Sequence, residues 1–205
     1  MKEDGSGATT EVTPTRKGSI PELAIVFGFT VGLPLALGLA AGRLQSFDFG
    51  QSRLLGTLAA EAVAVAVLWP WLATRGWVFR SIAGAPVPMD IVRGLGVALV
   101  AYIAYYISAV TWAVFVPASY DAMKAAVPTG SAAPWVIVLV AVMNPIVEEF
   151  VWLGYGVTGM ARYGLRTAVV ASIVFRVAAH AYQGVLAITS ILPLAIVFSV
   201  YFART

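Results

Sequence analysis

Two adjacent carboxylates, Glu148 and Glu149, lie in N-P-I-V-E-E-F-V-W-L-G-Y, the otherwise apolar stretch from Asn144 to Tyr155. A charge at membrane depth is costly, so such a side chain is usually paired or functional. Further on come Arg176 and, four residues later, His180, the chain's only histidine. These residue types can do acid–base chemistry. Two close carboxylates cannot both ionise cheaply, and a guanidinium favours the ionised form of the one it pairs with, in a geometry lysine cannot copy. The other glutamate can then act as a general base toward water. His180 can orient that water, share its proton or donate to an oxyanion. Other readings of the same residues stay open. A Glu–Arg pair can simply neutralise itself and set helix register, a lone histidine can be a hydrogen-bonded core residue, and Glu, Arg and His together can form a transporter's proton relay. Glu61, inside another apolar run, is either a partner of this group or a residue facing the headgroups. Glu148, Glu149 and His180 are also metal-ligand types, with Glu148 and His180 the candidates. However, H-E-x-x-H is absent and there is one histidine, so a divalent metal such as zinc has little in the sequence to carry it.

The elements that must position these residues are membrane spans. Of the 205 residues, 60% are hydrophobic and 11% charged, against about 25% charged in a soluble domain; mean hydropathy is +0.87. The net charge of +3 is small, and its basic residues are scattered between apolar runs, which points to topology determinants and to no nucleic-acid partner. Absence of cysteine excludes disulfides and thiolate chemistry. Residues 1–20 read as a polar tail, and residues 21–205 as one transmembrane domain. The first apolar run begins too late and is too long for a cleavable signal, which predicts a retained span.

The expected fold is all-α, a polytopic transmembrane bundle of about six spans. These run near Pro21–Ala41, Leu54–Leu72, Ile91–Val116, Ala133–Met160, Leu165–Tyr182 and Gly184–Tyr201. The fourth exceeds the ~30 Å hydrocarbon thickness and is expected to tilt, or to kink at Pro145. Arg75, Arg80, Arg93, Arg162, Arg166 and Arg204 fall on the side of the tail. The opposite loops, with Arg43 and Arg53 against Asp48 and Lys124 against Asp121, are nearly neutral, which predicts a cytoplasmic N-terminus. On this topology Glu148 lies roughly 18 Å from the Met160 end of its span and His180 roughly 21 Å from Arg166 on the next, antiparallel one. The two can therefore meet at similar depth. Helical spacing places Glu148, Trp152 and Tyr155 on one face, and Arg176 with His180 on another.

With these residues in place, the chain resembles the CPBP intramembrane metalloproteases, also called the CAAX protease, bacteriocin-processing or Abi family. The family's E-E-x-x-x-R-G is matched by Glu148-Glu149-Phe150-Val151-Trp152-Leu153-Gly154, and its F-x-x-x-H by Arg176-Val177-Ala178-Ala179-His180. The resemblance covers 134–205. Leu153 stands in the place of the motif arginine and Arg176 in that of the phenylalanine, so a guanidinium lost from one span is restored from the next. The resemblance implies an intramembrane endopeptidase with catalytic residues Glu148, Glu149, Arg176 and His180. Glu148 would activate water, Glu149 support its ionisation or orientation, His180 position the water or the oxyanion, and Arg176 replace the motif arginine. It also implies a multi-pass protein of a bacterial-type plasma membrane, with lipid and a membrane-associated peptide as partners. The family's later H-x-x-x-N motif has no counterpart before Thr205. The expectation is a truncated or reduced form, inactive if that histidine is required. The alternatives are a non-catalytic scaffold or immunity-like protein of the same fold, and a proton-coupled transporter, although no internal repeat suggests inverted halves.

Overall fold

Among the described residues the apolar runs form six helical rods. The structure, a computed structural model, describes residues 18–40, 50–79, 82, 87–118, 121, 130–181 and 187–205. Most of the polar tail lies outside the described residues, as do Arg43, Gln45, Asp48, Arg80, Gly84, Pro86, Lys124, Pro128 and 182–184. The rods are α1 (residues 20–40), α2 (Gln51–Thr74), α3 (Met89–Phe115), α4 (Pro134–Tyr163), α5 (Leu165–Ala179) and α6 (residues 187–202). Among the described residues there is no strand, as the expected all-α bundle requires. Of the six, α2, α3 and α4 are each long and apolar enough to cross a bilayer by themselves. The apolar side chains of α3 face outward: Ile91, Leu95, Val114 and Phe115 are all exposed. Water-soluble monomers rarely leave such a surface open, whereas hydrocarbon solvates it.

Chain connections fix the directions of the rods. Gln51 N–H donates to the Ser131 carbonyl at 3.2 Å, and the Gln51 side chain accepts from Ala133 N–H at 3.2 Å. The starts of α2 and α4 therefore share one end of the bundle, and the two rods pack side by side, parallel. At the other end Gly18 N–H donates to the Gly159 carbonyl at 3.0 Å, which joins the start of α1 to the end of α4. Gly164, at φ +100°, is the one residue between α4 and α5. Few residues but glycine adopt that conformation, and it sends α5 back along α4.

Three rods contain wide π-helical turns: Gly28–Gly32 in α1, Phe150–Val157 in α4 and Ala187–Ile191 in α6. Two of them end two residues before a proline, Pro34 and Pro193. A proline has no N–H for the carbonyl four residues earlier and crowds it, and a wider turn absorbs that mismatch. In α4 the wide turn lies beyond the proline. The α-helix runs through Pro145 to Glu149, and the departure from α geometry begins immediately after the paired carboxylates.

The core lies where α1, the end of α2 and the π turn of α4 meet. Phe27 stacks on Phe175 at 4.3 Å between ring centroids and on Trp152 at 5.8 Å. Beside them Glu22 is almost completely enclosed, 2% exposed. One of its oxygens accepts from Trp77 Nε1–H at 2.7 Å and from the Tyr155 hydroxyl at 3.1 Å, and Arg75 lies 3.9 Å from the other. The sequence suggests only that Glu22 suits a helix N-terminus; in the fold it is the buried acceptor that joins α1, the chain after α2, and α4. The close packing has no room for a side chain at Gly154, where a Cβ would lie 2.2 Å from Ile82 Cγ2. Gly154→Ala should therefore lower stability by about 1–3 kcal/mol, and adding Ile82→Ala should make the second change cost less than it does alone. Thermal unfolding of the four proteins in detergent measures this coupling.

Candidate active site

Three residues of α5 spaced by four, Ser172, Arg176 and His180, meet α4 on successive turns. Ser172 Oγ donates to the Trp152 carbonyl at 2.8 Å, inside the π turn. Wide turns disturb the regular carbonyl pairing of a helix, and a buried serine supplies one donor there. One turn further along α5, Arg176 Nη2 lies 3.5 Å from Glu148 Oε2 and is in direct contact with Glu149 Oε1. The guanidinium is itself buried, 6% exposed, and also lies over the Phe198 ring of α6 at 5.7 Å. Leu153, where the resemblance expects an arginine, is buried in the core. The cation beside the carboxylates thus comes from α5.

His180 was placed within a span by the depth argument; the helix instead stops at Ala179 and His180 is its C-terminal cap. The ring Nδ1 lies 2.8 Å from the Arg176 carbonyl, one of the acceptors that a helix end leaves without an intrahelical donor. A carbonyl only accepts, so Nδ1 carries the hydrogen and Nε2 is the ring nitrogen turned toward Glu148. Nε2 lies 3.5 Å from Glu148 Oε1. The same Oε1 accepts from Asn144 Nδ2 at 2.7 Å. Asn144 and Ser172 were not singled out from the sequence, although each lies one helical turn before a residue that was.

These groups face a cavity of about 520 Å³ lined by Asn144, Glu148 and Trp152 from α4, Ala179 and His180 at the end of α5, and Arg53, Thr57 and Glu61 from α2. Trp152 shares this wall with Glu148 as the spacing predicts. Tyr155 does not, because the wide turn advances the chain by less rotation per residue and directs its hydroxyl to Glu22. An apolar cavity of about 300 Å³ adjoins the first, and Thr30, Ala64, Val147 and Val151 border both. Chemically, the arrangement offers a carboxylate oxygen and a ring nitrogen side by side on the cavity wall, both within reach of one water molecule in the cavity. A fixed cation stands behind the carboxylate.

The donor set does not fit a catalytic zinc. Such a site takes three protein ligands, but among the described residues no group of three His, Cys, Asp or Glu side chains converges. Arg176 also holds a permanent positive charge beside Glu148, where a dication would be repelled.

Residues 130–205, which hold α4 to α6, match the family model of the Rce1-like type II CAAX prenyl endopeptidases. That match supports a kinship of this part of the chain with the CAAX proteases. No curated protein and no solved structure matches the chain. The family match spans Glu148, Glu149, Arg176 and His180 together, and it supports an intramembrane-protease-like function in a membrane protein.

Within that family segment, Arg176 is the group whose loss leaves the most charge unbalanced. Arg176→Met should destabilise the protein by about 1–3 kcal/mol, because two half-buried carboxylates would be left without their cation. The added replacement of Glu149 by Gln should recover part of the loss. Unfolding temperatures in detergent of the single and double variants check both statements.

Proposed function

We propose that the protein is an intramembrane endopeptidase in which Glu148 activates water to hydrolyse a peptide bond of a membrane-associated substrate. The observation that carries this reading is the Glu148–His180 pair, 3.5 Å apart on the wall of a cavity large enough for a stretch of peptide. Water bound beside the Glu148 Oε1–His180 Nε2 contact, on its cavity side, gives a proton to the carboxylate as its oxygen attacks the carbonyl carbon. Asn144 and Arg176 hold the two oxygens of Glu148 in place, and Glu149 completes the charge balance around the guanidinium. His180, tethered through Nδ1, positions the water through Nε2.

The match to CAAX prenyl endopeptidases makes a prenylated CAAX peptide the first substrate to test. The adjoining apolar cavity supports a substrate that brings apolar groups with it. The setting of this reading is a multi-pass protein of a bacterial-type plasma membrane, with residues 1–20 as a cytoplasmic tail, residues 21–205 as the membrane domain, and lipid rather than nucleic acid around it. Arg75 and Arg162, next to the shared end of α1 and α4, support that orientation.

Glu148→Gln keeps the shape of the side chain and removes the base. In proteoliposomes with a quenched farnesylated CAAX peptide, it should lower cleavage by about 10³-fold with little change in unfolding temperature. Equal cleavage by Glu148→Gln and the unaltered protein would reject the mechanism. Absence of cleavage by both would favour the second reading, a scaffold whose Glu–Arg group only sets helix register.

A further inference from the structure

The cavity that Glu148 lines carries another carboxyl group on its wall. Arg53, Thr57 and Glu61 recur every four residues along α2, and all three line the cavity that Asn144, Glu148 and His180 also line. α2 packs directly on α4, so the two carboxyl groups belong to neighbouring walls of one space.

The two groups have opposite surroundings. Glu148 has an arginine, a histidine and an asparagine around it. Glu61 Oε2 is enclosed by protein and makes no hydrogen bond, and among the described residues no cation pairs with Glu61. Arg176 is engaged by Glu148 and Glu149, while Arg53 lies two turns away along the same helix. A carboxyl group at membrane depth with no cation beside it is carried most cheaply as the neutral acid. One ion-paired carboxylate and one unpaired carboxylic acid facing a common space have the roles of base and acid.

We propose that Glu61 is the general acid of this site, the catalytic residue that protonates the leaving nitrogen. This rests on the endopeptidase reading and adds the half-reaction it leaves open. In the first step an O–H bond of water breaks, the proton goes to Glu148, and the oxygen bonds to the carbonyl carbon. In the second the C–N bond breaks, its electron pair stays on nitrogen, and nitrogen takes the Glu61 proton. The products are a carboxylic acid and an amine. Glu148 is left protonated and Glu61 ionised, and one proton passing back through water in the cavity resets both.

A leaving group that needs no proton tests this. Two probes are compared in proteoliposomes: the quenched farnesylated CAAX peptide, and the same peptide truncated at the cleaved bond and carried as its 4-nitrophenyl ester, from which nitrophenolate departs unaided. Glu61→Gln should lower amide cleavage by about 10²-fold and leave background-corrected ester cleavage within about twofold. Glu148→Gln should stop both. If Glu61→Gln does not fold, as judged by thermal unfolding in detergent, Glu61→Asp takes its place, with the same split between the probes expected in smaller measure. Unchanged amide cleavage overturns the assignment, and so does a parallel loss on both probes, which marks a structural role. Either leaves the endopeptidase reading standing, because the unaltered protein still cleaves. An unaltered protein that cleaves neither probe overturns both together.

Discussion

Two carboxylates at adjacent positions cannot be carried into a hydrocarbon layer without a cation, and Arg176 supplies it from the next helix. Much of the C-terminal half follows from that requirement. A guanidinium that touches both Glu148 and Glu149 fixes the height of α5 against α4, and its planar fork serves two acceptors where an ammonium would serve one less well. Once that height is set, His180 falls one turn beyond, level with Glu148, and Ser172 one turn before, level with the Trp152 carbonyl. The same interaction that neutralises buried charge therefore aligns the groups to which chemistry is assigned. Such an arrangement contributes more to register than to net stability, since desolvation offsets much of the Coulomb attraction.

The departures from α-helical geometry matter to the site as much as the charges do. An ordinary helix would place residues 148, 152 and 155 along one stripe. The π turn after Glu149 separates them, leaving Trp152 on the cavity wall and sending Tyr155 to the buried Glu22. One segment thereby serves two purposes, facing the cavity at one level and anchoring to α1 at the next. Wide turns of this kind recur at functional sites because they redirect side chains without breaking the helix.

The sequence made the all-α bundle legible because long hydrophobic runs are a strong signal, and among the described residues three of them, α2, α3 and α4, form helices long and apolar enough to cross a bilayer. The approach of Arg176 to the carboxylates was suggested too, since it lies one turn from His180, whose depth matches that of Glu148. Features that depend on distant partners were not. Glu22 lies 55 residues from Trp77 and 133 from Tyr155, so its burial leaves no local trace beyond an acidic residue in a first helical turn. Asn144 and Ser172 are common residue types that acquire meaning only when a carboxylate or a displaced carbonyl comes opposite. The π turn was hidden because residues Phe150–Val157 carry no periodic signal that separates a wide turn from an α-helix.

The single-residue link at Gly164 has an evolutionary corollary. Between Tyr163 and Leu165 there is no slack, so chain length there sets the rotational phase of everything that follows. One inserted residue would turn α5 by about 100° and advance it by about 1.5 Å, carrying Ser172, Arg176 and His180 off α4 at once. Four inserted residues would nearly restore the phase but displace all three by a full turn. Descendants of this chain can vary in loop length elsewhere, but lineages that keep Glu148 and His180 opposed should show almost no insertions or deletions across residues 148–180.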